Sequence, residues 1–336
     1  MLTIEQLEAA CSAGLHLDFS RHSIELRDPP LRQQFYPLGF PAEIRTDSAK
    51  VLQMAGELWG KYEKLYDTDP IRVDVHVVES DSAECPPEPS YRLMWPLLLT
   101  VADAQNYMVA DLAENRTRIA VSSASEKHRL YFRYFFLEAA VWCHIATRHA
   151  TPVHAGCVVL NGRGVLLLGD SGAGKSSLSY ACARRKWTYV TDDASYLLNG
   201  GDARMVTGNS SQVRLRPTAA ELFPEIDGLE LTPRAAGKPS IELLTASLPH
   251  ISCSQVARVD FLVFLKRSPG EALELVPYCT NVARYFMRQQ LYGSAQSLAV
   301  QYRAIEGLLA AKIFELRYSD LDPAIDRLRR LVQEGQ

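Results

Sequence analysis

Residues 154–176 read HAGCVVLNGRGVLLLGDSGAGKS, and they set the expected architecture of the second half of the chain. The apolar run Val165–Leu168 leads into a glycine-rich turn, residues 169–174, and then into Lys175 and Ser176. This order matches the pattern G-x-x-x-x-G-K-[ST], in which a strand feeds a loop that binds phosphate and opens a helix. Glycines let consecutive backbone N–H groups curl around phosphate oxygens, and the helix N-terminus adds its positive end. We therefore predict a nucleotide-binding P-loop.

The loop and the first helical turn are expected to hold the phosphates of ATP. Lys175 would supply a compact positive charge to the β- and γ-phosphates, and Ser176 would offer its hydroxyl to Mg²⁺. The predicted nucleotide-binding residues are Gly169, Asp170, Ser171, Gly172, Ala173, Gly174, Lys175, Ser176 and Ser177. The alternative is an ordinary glycine-rich turn between a strand and a helix, with a surface lysine. The pattern thus predicts ATP and Mg²⁺ as cofactors.

A pair of carboxylates, Asp192 and Asp193, follows the predicted strand 187–191. The helix expected over 176–185 descends about 15 Å, and a strand of about five residues climbs back about 16 Å. The carboxylates therefore return to the level of the loop. Because successive strand residues face opposite ways, one carboxylate can point at the γ-phosphate while the other points elsewhere. The alternative for such a pair is a solvated turn or a helix N-cap.

A histidine stands just before a predicted hairpin. An Asn-Gly pair lies between two apolar runs, 155–160 and 165–168, and this pattern is typical of a β-hairpin. Such a hairpin would bring His154 to within a residue or two of Gly169. A lone histidine is more often structural, but its expected return to the loop favours a catalytic role for His154.

A second cation is usually needed to stabilise a transferring phosphate. For each candidate the alternative is a solvated side chain or one paired with a carboxylate. The candidates are Arg214, Arg216, Lys238 and Arg267.

The run 154–176, taken with the Asp-Asp pair, resembles the catalytic core of bacterial HPr kinase/phosphorylase. The intervals from histidine to loop and from lysine to aspartate match that family. The resemblance is close over 154–200 and more diffuse to about 267 and over 312–331. It implies a phosphoenolpyruvate-carboxykinase-like α/β fold and an ATP- and Mg²⁺-dependent phosphorylation of a protein serine. Hexamers occur in the related family, so a homo-oligomer is compatible with the resemblance.

By this resemblance, four residues are catalytic: His154, Lys175, Asp192 and Asp193. His154 and Lys175 would contact the phosphates, Ser176 and Asp192 would hold Mg²⁺, and Asp192 would be the catalytic base. Two family segments are not visible: the metal-binding glutamate followed by Arg-Gly, and the Pro-Gly-Arg-Asn segment associated with phosphorolysis. We therefore predict a kinase for a Ser or Thr hydroxyl of a protein or peptide, without phosphorylase activity. The alternatives are a small-molecule hydroxyl kinase and a non-catalytic nucleotide-binding regulatory module.

The length of 336 residues suggests two domains. We predict an α+β domain of unknown role over 1–150 and the kinase-like α/β domain over 151–336. Other predicted elements are a short helical pattern within 1–20, strands at 71–77, 97–101, 106–112 and 117–122, a buried helix 129–148, a loop-rich stretch 200–240, a central strand 261–265 paired with 272–276, helices 280–292 and 295–311, a strand 312–318, and a helix 323–334 capped at Asp322-Pro323.

Composition excludes several classes of protein. With 36 basic and 39 acidic side chains the net charge is −3, which gives no general attraction to nucleic acid or to anionic membranes. The first residues are acidic where a signal peptide would be basic, and no apolar run approaches the about 20 residues that span a bilayer. The seven cysteines are scattered and form no C-x-x-C pair. This spacing argues against a disulfide framework or zinc site and predicts a reduced, cytoplasmic protein.

Overall fold

A computed structural model describes residues 28–232, 239–270 and 272–335 of the chain. The fold is mixed α/β and divides into an N-terminal unit, Met1–Cys143, and a C-terminal unit, His144–Gln336. This division lies a few residues before the boundary expected at 150. The helical pattern predicted within 1–20, and the candidate Lys238, lie outside the described residues.

The described part of the N-terminal unit contains one mixed sheet. Its described elements are β1 Leu31–Phe35, β2 Ala42–Thr46, α1 Ala49–Trp59, β3 Ile71–Val78, β4 Ser90–Met94, β5 Leu97–Val101, β6 Tyr107–Asp111, β7 Arg116–Ser122, α2 Ser123–Lys127, α3 Arg129–Phe132 and α4 Glu138–His144. The described strands pair in the order β1-β2-β3-β7-β6-β5-β4. The β2–β3 and β3–β7 pairs are parallel, and the other pairs are antiparallel.

The local patterns explain these elements. Ile71, Val73 and Val75 alternate along β3 and are fully buried, so the strand predicted at 71–77 is confirmed. The predicted helix 129–148 is also confirmed, since helical turns run from Arg129 to His149. Its Leu- and aromatic-rich sequence contains no glycine or proline that would break it. Two wide π-helical turns, Arg133–Leu137 and Ile145–His149, follow α3 and α4 within it.

The C-terminal unit is built on a larger sheet. Its described elements are β8 Ala150–His154, β9 Gly156–Leu160, β10 Arg163–Leu168, α5 Lys175–Arg184, β11 Thr188–Thr191, β12 Ala194–Leu198, β13 Met205–Gly208, β14 Gln212–Leu215, β15 Leu231–Thr232, β16 Ser240–Leu244, β17 Ser252–Cys253, β18 Val256–Arg267, β19 Glu274–Pro277, α6 Thr280–Arg288, α7 Ala295–Leu308, β20 Lys312–Tyr318 and α8 Leu321–Glu334. The main path of described strands runs β17-β11-β9-β10-β18-β13-β12-β8, β20 joins β18 and β19, and β14-β16-β15 form a small separate sheet.

The centre of the large sheet is covered on both faces. β10 and β18 are parallel neighbours, and their side chains alternate between two apolar clusters. Leu167 packs in the cluster that contains α5 and α8 residues, whereas Leu166 packs in the cluster that contains α6 and α7 residues. Strands buried on both faces are continuous apolar runs rather than alternating ones, which explains the run Val165–Leu168. The carboxyl end of β10 is therefore a rigid base for the loop that follows.

Two local predictions are wrong. The segment expected to pair with strand 261–265 forms β19, which pairs with β20 instead. The last helix begins at Leu321 with Asp320 in the N-cap position, and that side chain makes no capping hydrogen bond. The stretch 200–240 is loop-rich as predicted, although short apolar runs within it form β13 and β14, which pair with strands far away in sequence.

The six cysteines within the described residues are all free. Cys11 lies outside the described residues. Among the helices of residues 28–232, 239–270 and 272–335, none has the length and hydropathy needed to cross a membrane.

Candidate functional site

The glycine-rich turn lies between β10 and α5. The backbone φ angles of Gly169, Gly172 and Gly174 are +142°, +96° and +97°, a region that favours glycine. Space also requires glycine at position 174, where a Cβ would lie 2.5 Å from the hydroxyl of Tyr318. That hydroxyl donates a hydrogen bond to the carbonyl of Ala173 at 3.2 Å. The sequence thus imposes an open backbone turn that β20 holds in place.

Lys175 opens α5 and is buried beneath this turn. Its Nζ donates to the carbonyl oxygens of Gly169, at 2.8 Å, and Asp170, at 3.2 Å. Burial lowers the pKa of Lys175, and the negative charge of Asp193 opposes that shift. In the described part of the chain, no carboxylate forms an ion pair with Lys175. A buried ammonium ion without a counterion is expensive, so the site is suited to an anionic ligand.

Asp192 is buried just after β11, at the N-terminal end of α5. Its carboxylate accepts hydrogen bonds from the Ser176 hydroxyl, from the Tyr189 hydroxyl at 3.0 Å and from the backbone N–H of Arg214 at 3.3 Å. Burial raises the pKa of Asp192 to about 6, and the neighbouring negative charge of Asp193 contributes to this shift. A carboxyl group with such a pKa can exchange a proton near neutral pH.

Tyr189 was missed by the sequence analysis. It is fully buried, and its hydroxyl lies 3.0 Å from Asp192 Oδ1 and 2.8 Å from the carbonyl oxygen of Gln212. A phenol has one proton to donate, so Asp192 and the Gln212 carbonyl share that donor. The signal available in the sequence is only a tyrosine three residues before Asp192, which is too common to identify a site.

Asp193 points to the other side and contacts His154. The distance between His154 Nδ1 and Asp193 Oδ1 is 3.3 Å, and both side chains are partly exposed. Gln290, also missed by the sequence analysis, accepts a hydrogen bond from the backbone N–H of His154 through Oε1 at 3.2 Å. The two neighbouring carboxylates therefore face different partners, Ser176 and His154.

The predicted hairpin is confirmed: β9 and β10 pair from Leu160 opposite Arg163 to Gly156 opposite Leu167. Its register, continued by two residues, sets His154 opposite Gly169, as the sequence predicts. His154 belongs to β8, where it pairs with Ala194 of β12. Because Ala194 directly follows Asp193, this strand pairing brings the histidine and the carboxylate together.

The candidate cations differ in position. Arg216 donates to the Ser171 hydroxyl at 2.9 Å and therefore lies at the glycine-rich turn. The Arg214 side chain lies 3.4 Å from a carboxylate oxygen of Glu242. Arg267 donates to the carbonyl oxygen of Ser319 at 3.1 Å. Among these three described candidates, Arg216 is the one whose guanidinium contacts a side chain of the turn.

The donor set also bears on Mg²⁺. Within the described ranges, no three or more His, Cys, Asp or Glu side chains form a cluster that could hold a metal ion. Mg²⁺, however, commonly binds through one or two protein oxygens together with substrate phosphates and water. The adjoining oxygens of Ser176 and Asp192 fit that mode of binding. A metal at this position would therefore depend on a bound nucleotide.

Comparison with known proteins gives little beyond this geometry. The sequence matches no protein-family model and no curated protein. Among solved structures, the HPr(Ser) kinase/phosphatase from Coxiella burnetii is similar at 16% identity and a TM-score of 0.30, over 55% of this chain and 99% of that one. A similarity this distant does not establish a shared activity, so the function must be inferred from the site itself.

Proposed function

We propose that this protein is an ATP- and Mg²⁺-dependent kinase that transfers the γ-phosphate to a Ser or Thr hydroxyl of a protein or peptide, and that it lacks phosphorylase activity. One observation carries the proposal. Lys175, buried at the glycine-rich turn with no ion pair among the described residues, is acted on by the charges of Asp192 and Asp193, and these two carboxylates contact Ser176 and His154.

The turn and its cations would bind the triphosphate. The glycines with positive φ angles carry no Cβ atoms that would block the backbone N–H groups of the turn. The positive N-terminal end of α5 follows this turn directly. Lys175 would exchange its two loop carbonyls for phosphate oxygens, which restores a counterion to a buried charge. Arg216, held at the turn through Ser171, would add a second cation toward the transferring phosphate.

Ser176 and Asp192 are the residues that would hold Mg²⁺. When bound, the ion would neutralise charge on the β- and γ-phosphates. The hydrogen bond between these two residues already fixes their side chains next to each other, so little ordering would be needed on binding.

Asp192 would accept the proton of the attacking hydroxyl. A pKa raised to about 6 makes this carboxylate a stronger base than an ordinary aspartate while leaving it ionised at neutral pH. Asp193 and His154 would orient the acceptor and contact the phosphate. The His154 side chain is 42% exposed and that of Asp193 is 25% exposed. This exposure favours a protein or peptide acceptor over a small molecule in a closed pocket.

The test compares Lys175→Ala with Lys312→Ala. Lys312 is an exposed lysine at the far end of β20, about 20 Å from Tyr318 at a strand rise of 3.3 Å per residue. We expect Lys175→Ala to weaken Mg-ATP binding at least about tenfold, since a charge-assisted contact is lost, and Lys312→Ala to leave it unchanged. Titration with a fluorescent ATP analogue measures this step.

Transfer itself is followed by intact-mass analysis after incubation with Mg-ATP and candidate peptides encoded by neighbouring genes. A gain of one phosphate on Ser or Thr, lost in Lys175→Ala, supports the proposal. Transfer only to small hydroxyl compounds would instead favour a small-molecule kinase. Tight ATP binding without transfer to any acceptor would favour a regulatory module, and no ATP binding at all would reject the proposal.

A further inference from the structure

One face of the N-terminal sheet is rich in arginine. Residues that pair across neighbouring strands lie on the same face of a sheet, so the pairing registers define rows of side chains across β1, β2, β3, β7 and β6. The first row consists of Arg32, Arg45, Asp74, Arg118 and Val109. The second row consists of Gln34, Glu43, Arg72, Arg116 and Asp111.

The two rows differ in charge. In the second row two arginines face two acidic residues, so the row is neutral. In the first row three arginines face one aspartate, so the row carries a net charge of +2. Arg45 of this row also forms an ion pair with the exposed Asp28 at 3.3 Å, so its charge is offset. The excess positive charge of the row therefore belongs to Arg32 and Arg118.

Asp74 cannot neutralise its own row. Its Oδ1 accepts from Arg45 Nε at 2.6 Å, and its Oδ2 accepts from Arg116 at 3.0 Å and 2.6 Å. Arg116 thus reaches over from the neutral row and occupies one of the two carboxylate oxygens. Burial and the guanidinium of Arg116 lower the pKa of Arg118, against the attraction of Asp74. The surroundings therefore disfavour the charge on Arg118.

Arg118 also lacks a direct partner. Within the described part of the chain, the side chains of Arg118 and Arg32 make no hydrogen bond or ion pair, although the Arg118 side chain is only partly exposed. Its neighbours across the sheet are already fixed: Arg45 and Arg116 are both bonded to Asp74. A half-buried guanidinium among fixed guanidiniums is a preorganised site for an anion.

We propose that Arg118, Arg45 and Arg32 form a binding site for a phosphate dianion on this face of the N-terminal unit. The two arginines of the row that pair with no described carboxylate, Arg32 and Arg118, together carry +2, and a phosphate group carries about −1.5 to −2 at pH 7. Planar guanidinium groups match the geometry of phosphate oxygens and donate paired hydrogen bonds to them. Inorganic phosphate and a phosphorylated side chain share this chemistry. The site is independent of the kinase proposed for the C-terminal unit.

The experiment uses the full chain carrying Lys175→Ala, so that the glycine-rich turn does not dominate phosphate binding. Three ligands are compared at constant ionic strength: inorganic phosphate, a phosphoserine peptide and the same peptide without phosphate. Binding of inorganic phosphate is measured by ³¹P NMR, and peptide binding by fluorescence anisotropy. We expect Arg118→Gln to weaken binding of the phosphate-bearing ligand at least tenfold.

The matched control is Arg72→Gln, an exposed arginine on the same face but in the neutral row. We expect it to change affinity less than twofold. Arg118→Lys should bind more tightly than Arg118→Gln but less tightly than the unchanged protein, because lysine keeps the positive charge but cannot donate the paired hydrogen bonds of a guanidinium. Arg32→Gln, at an exposed position, provides a second weakening variant should Arg118→Gln fail to fold in a thermal unfolding scan.

Tighter binding of the phosphoserine peptide than of inorganic phosphate would identify a phosphorylated side chain as the ligand, and the reverse would identify free phosphate. Equal binding of the phosphorylated and unphosphorylated peptides would overturn the proposal. Equal losses in Arg118→Gln and Arg72→Gln would also overturn it, since the attraction would then belong to the whole face. Loss of kinase activity does not affect any of these outcomes.

Discussion

Two buried aspartates, one in each unit, have pKa values shifted in opposite directions. Asp74 is 2% exposed and Asp192 is 6% exposed. Asp74 is held by the guanidiniums of Arg45 and Arg116, and its pKa is lowered although burial acts against that shift. Asp192 is held by hydroxyls and a backbone N–H beside a second carboxylate, and its pKa is raised to about 6.

The comparison shows that burial by itself does not determine what a carboxylate does. Desolvation disfavours the charged form of both groups, and the charges of their partners decide the outcome. Two cations fix Asp74 as a permanent anion in an ion-pair cluster. Neutral donors leave Asp192 able to take up a proton, which suits a general base.

The largest expected effect is on phosphoryl transfer. Asp192→Asn should reduce the transfer rate about 10³-fold, because general base catalysis contributes about 10²–10⁴-fold. Affinity for Mg-ATP, measured by titration, should change only a few-fold. Asp326→Asn, an exposed carboxylate paired with Arg185, is the control and should keep full activity. Unchanged turnover in Asp192→Asn would remove Asp192 from the proposed mechanism.

The next effect is on stability, and it should distinguish the two aspartates. Asp74→Asn should lower the free energy of unfolding by about 3–5 kcal/mol at pH 7, because it leaves two guanidiniums without their buried partner. Asp192→Asn should leave stability at pH 7 unchanged or higher, because it removes a buried charge whose desolvation outweighs the attraction of Arg214. Urea unfolding monitored by circular dichroism measures both. A larger loss in Asp192→Asn than in Asp74→Asn would contradict the comparison.

The pH dependence of the same unfolding experiment sharpens the contrast. The lowered pKa of Asp74 contributes stability that is present above its unfolded pKa and is lost as pH falls below about 4. The raised pKa of Asp192 contributes stability that is fully present below about pH 4 and is lost as the pH rises through about 6. Each single proton contributes a slope of at most about 1.4 kcal/mol per pH unit. Asp74→Asn should remove only the pH dependence of unfolding below about pH 4, and Asp192→Asn only the pH dependence between about pH 4 and 6.

The smallest effect concerns Tyr189. Its hydrogen bond lowers the pKa of Asp192, so Tyr189→Phe should raise that pKa further and move the acid limb of the kcat/KM profile from about 6 to higher pH, by less than about one pH unit. The rate at pH 8 should stay within about twofold. Tyr180→Phe, which removes another buried hydroxyl that donates to Glu225, should not move the limb. A uniform loss at all pH values would indicate a structural role only.

Local sequence predicted much of the fold because its signals act over short distances. The alternation along β3, the apolar run of β10 and the glycines after it need no partner to be recognised. The strand, turn and helix that carry Lys175 and Ser176 were predicted at their observed places for the same reason. Their roles in binding ATP and Mg²⁺ stay predictions.

Which strands pair with each other could not be predicted in the same way. Nothing near His154 in the sequence indicates that β8 pairs with β12, and nothing near Glu274 indicates that β19 pairs with β20 rather than β18. Both pairings join segments far apart in the chain, and short apolar runs are compatible with several partners. The aspartates themselves were visible in the sequence, but the groups around them came from distant strands.

The amino-acid sequence by itself determined the backbone path at the glycine-rich turn, because only glycine tolerates those φ angles and contacts. It also determined which strands are buried on one or both faces, through their hydrophobic pattern. Only the tertiary structure decided that Asp192 meets hydroxyls and Asp74 meets guanidiniums. The charge state of a buried group depends on neighbours that folding brings together, and those neighbours are not encoded in the residues adjacent to it.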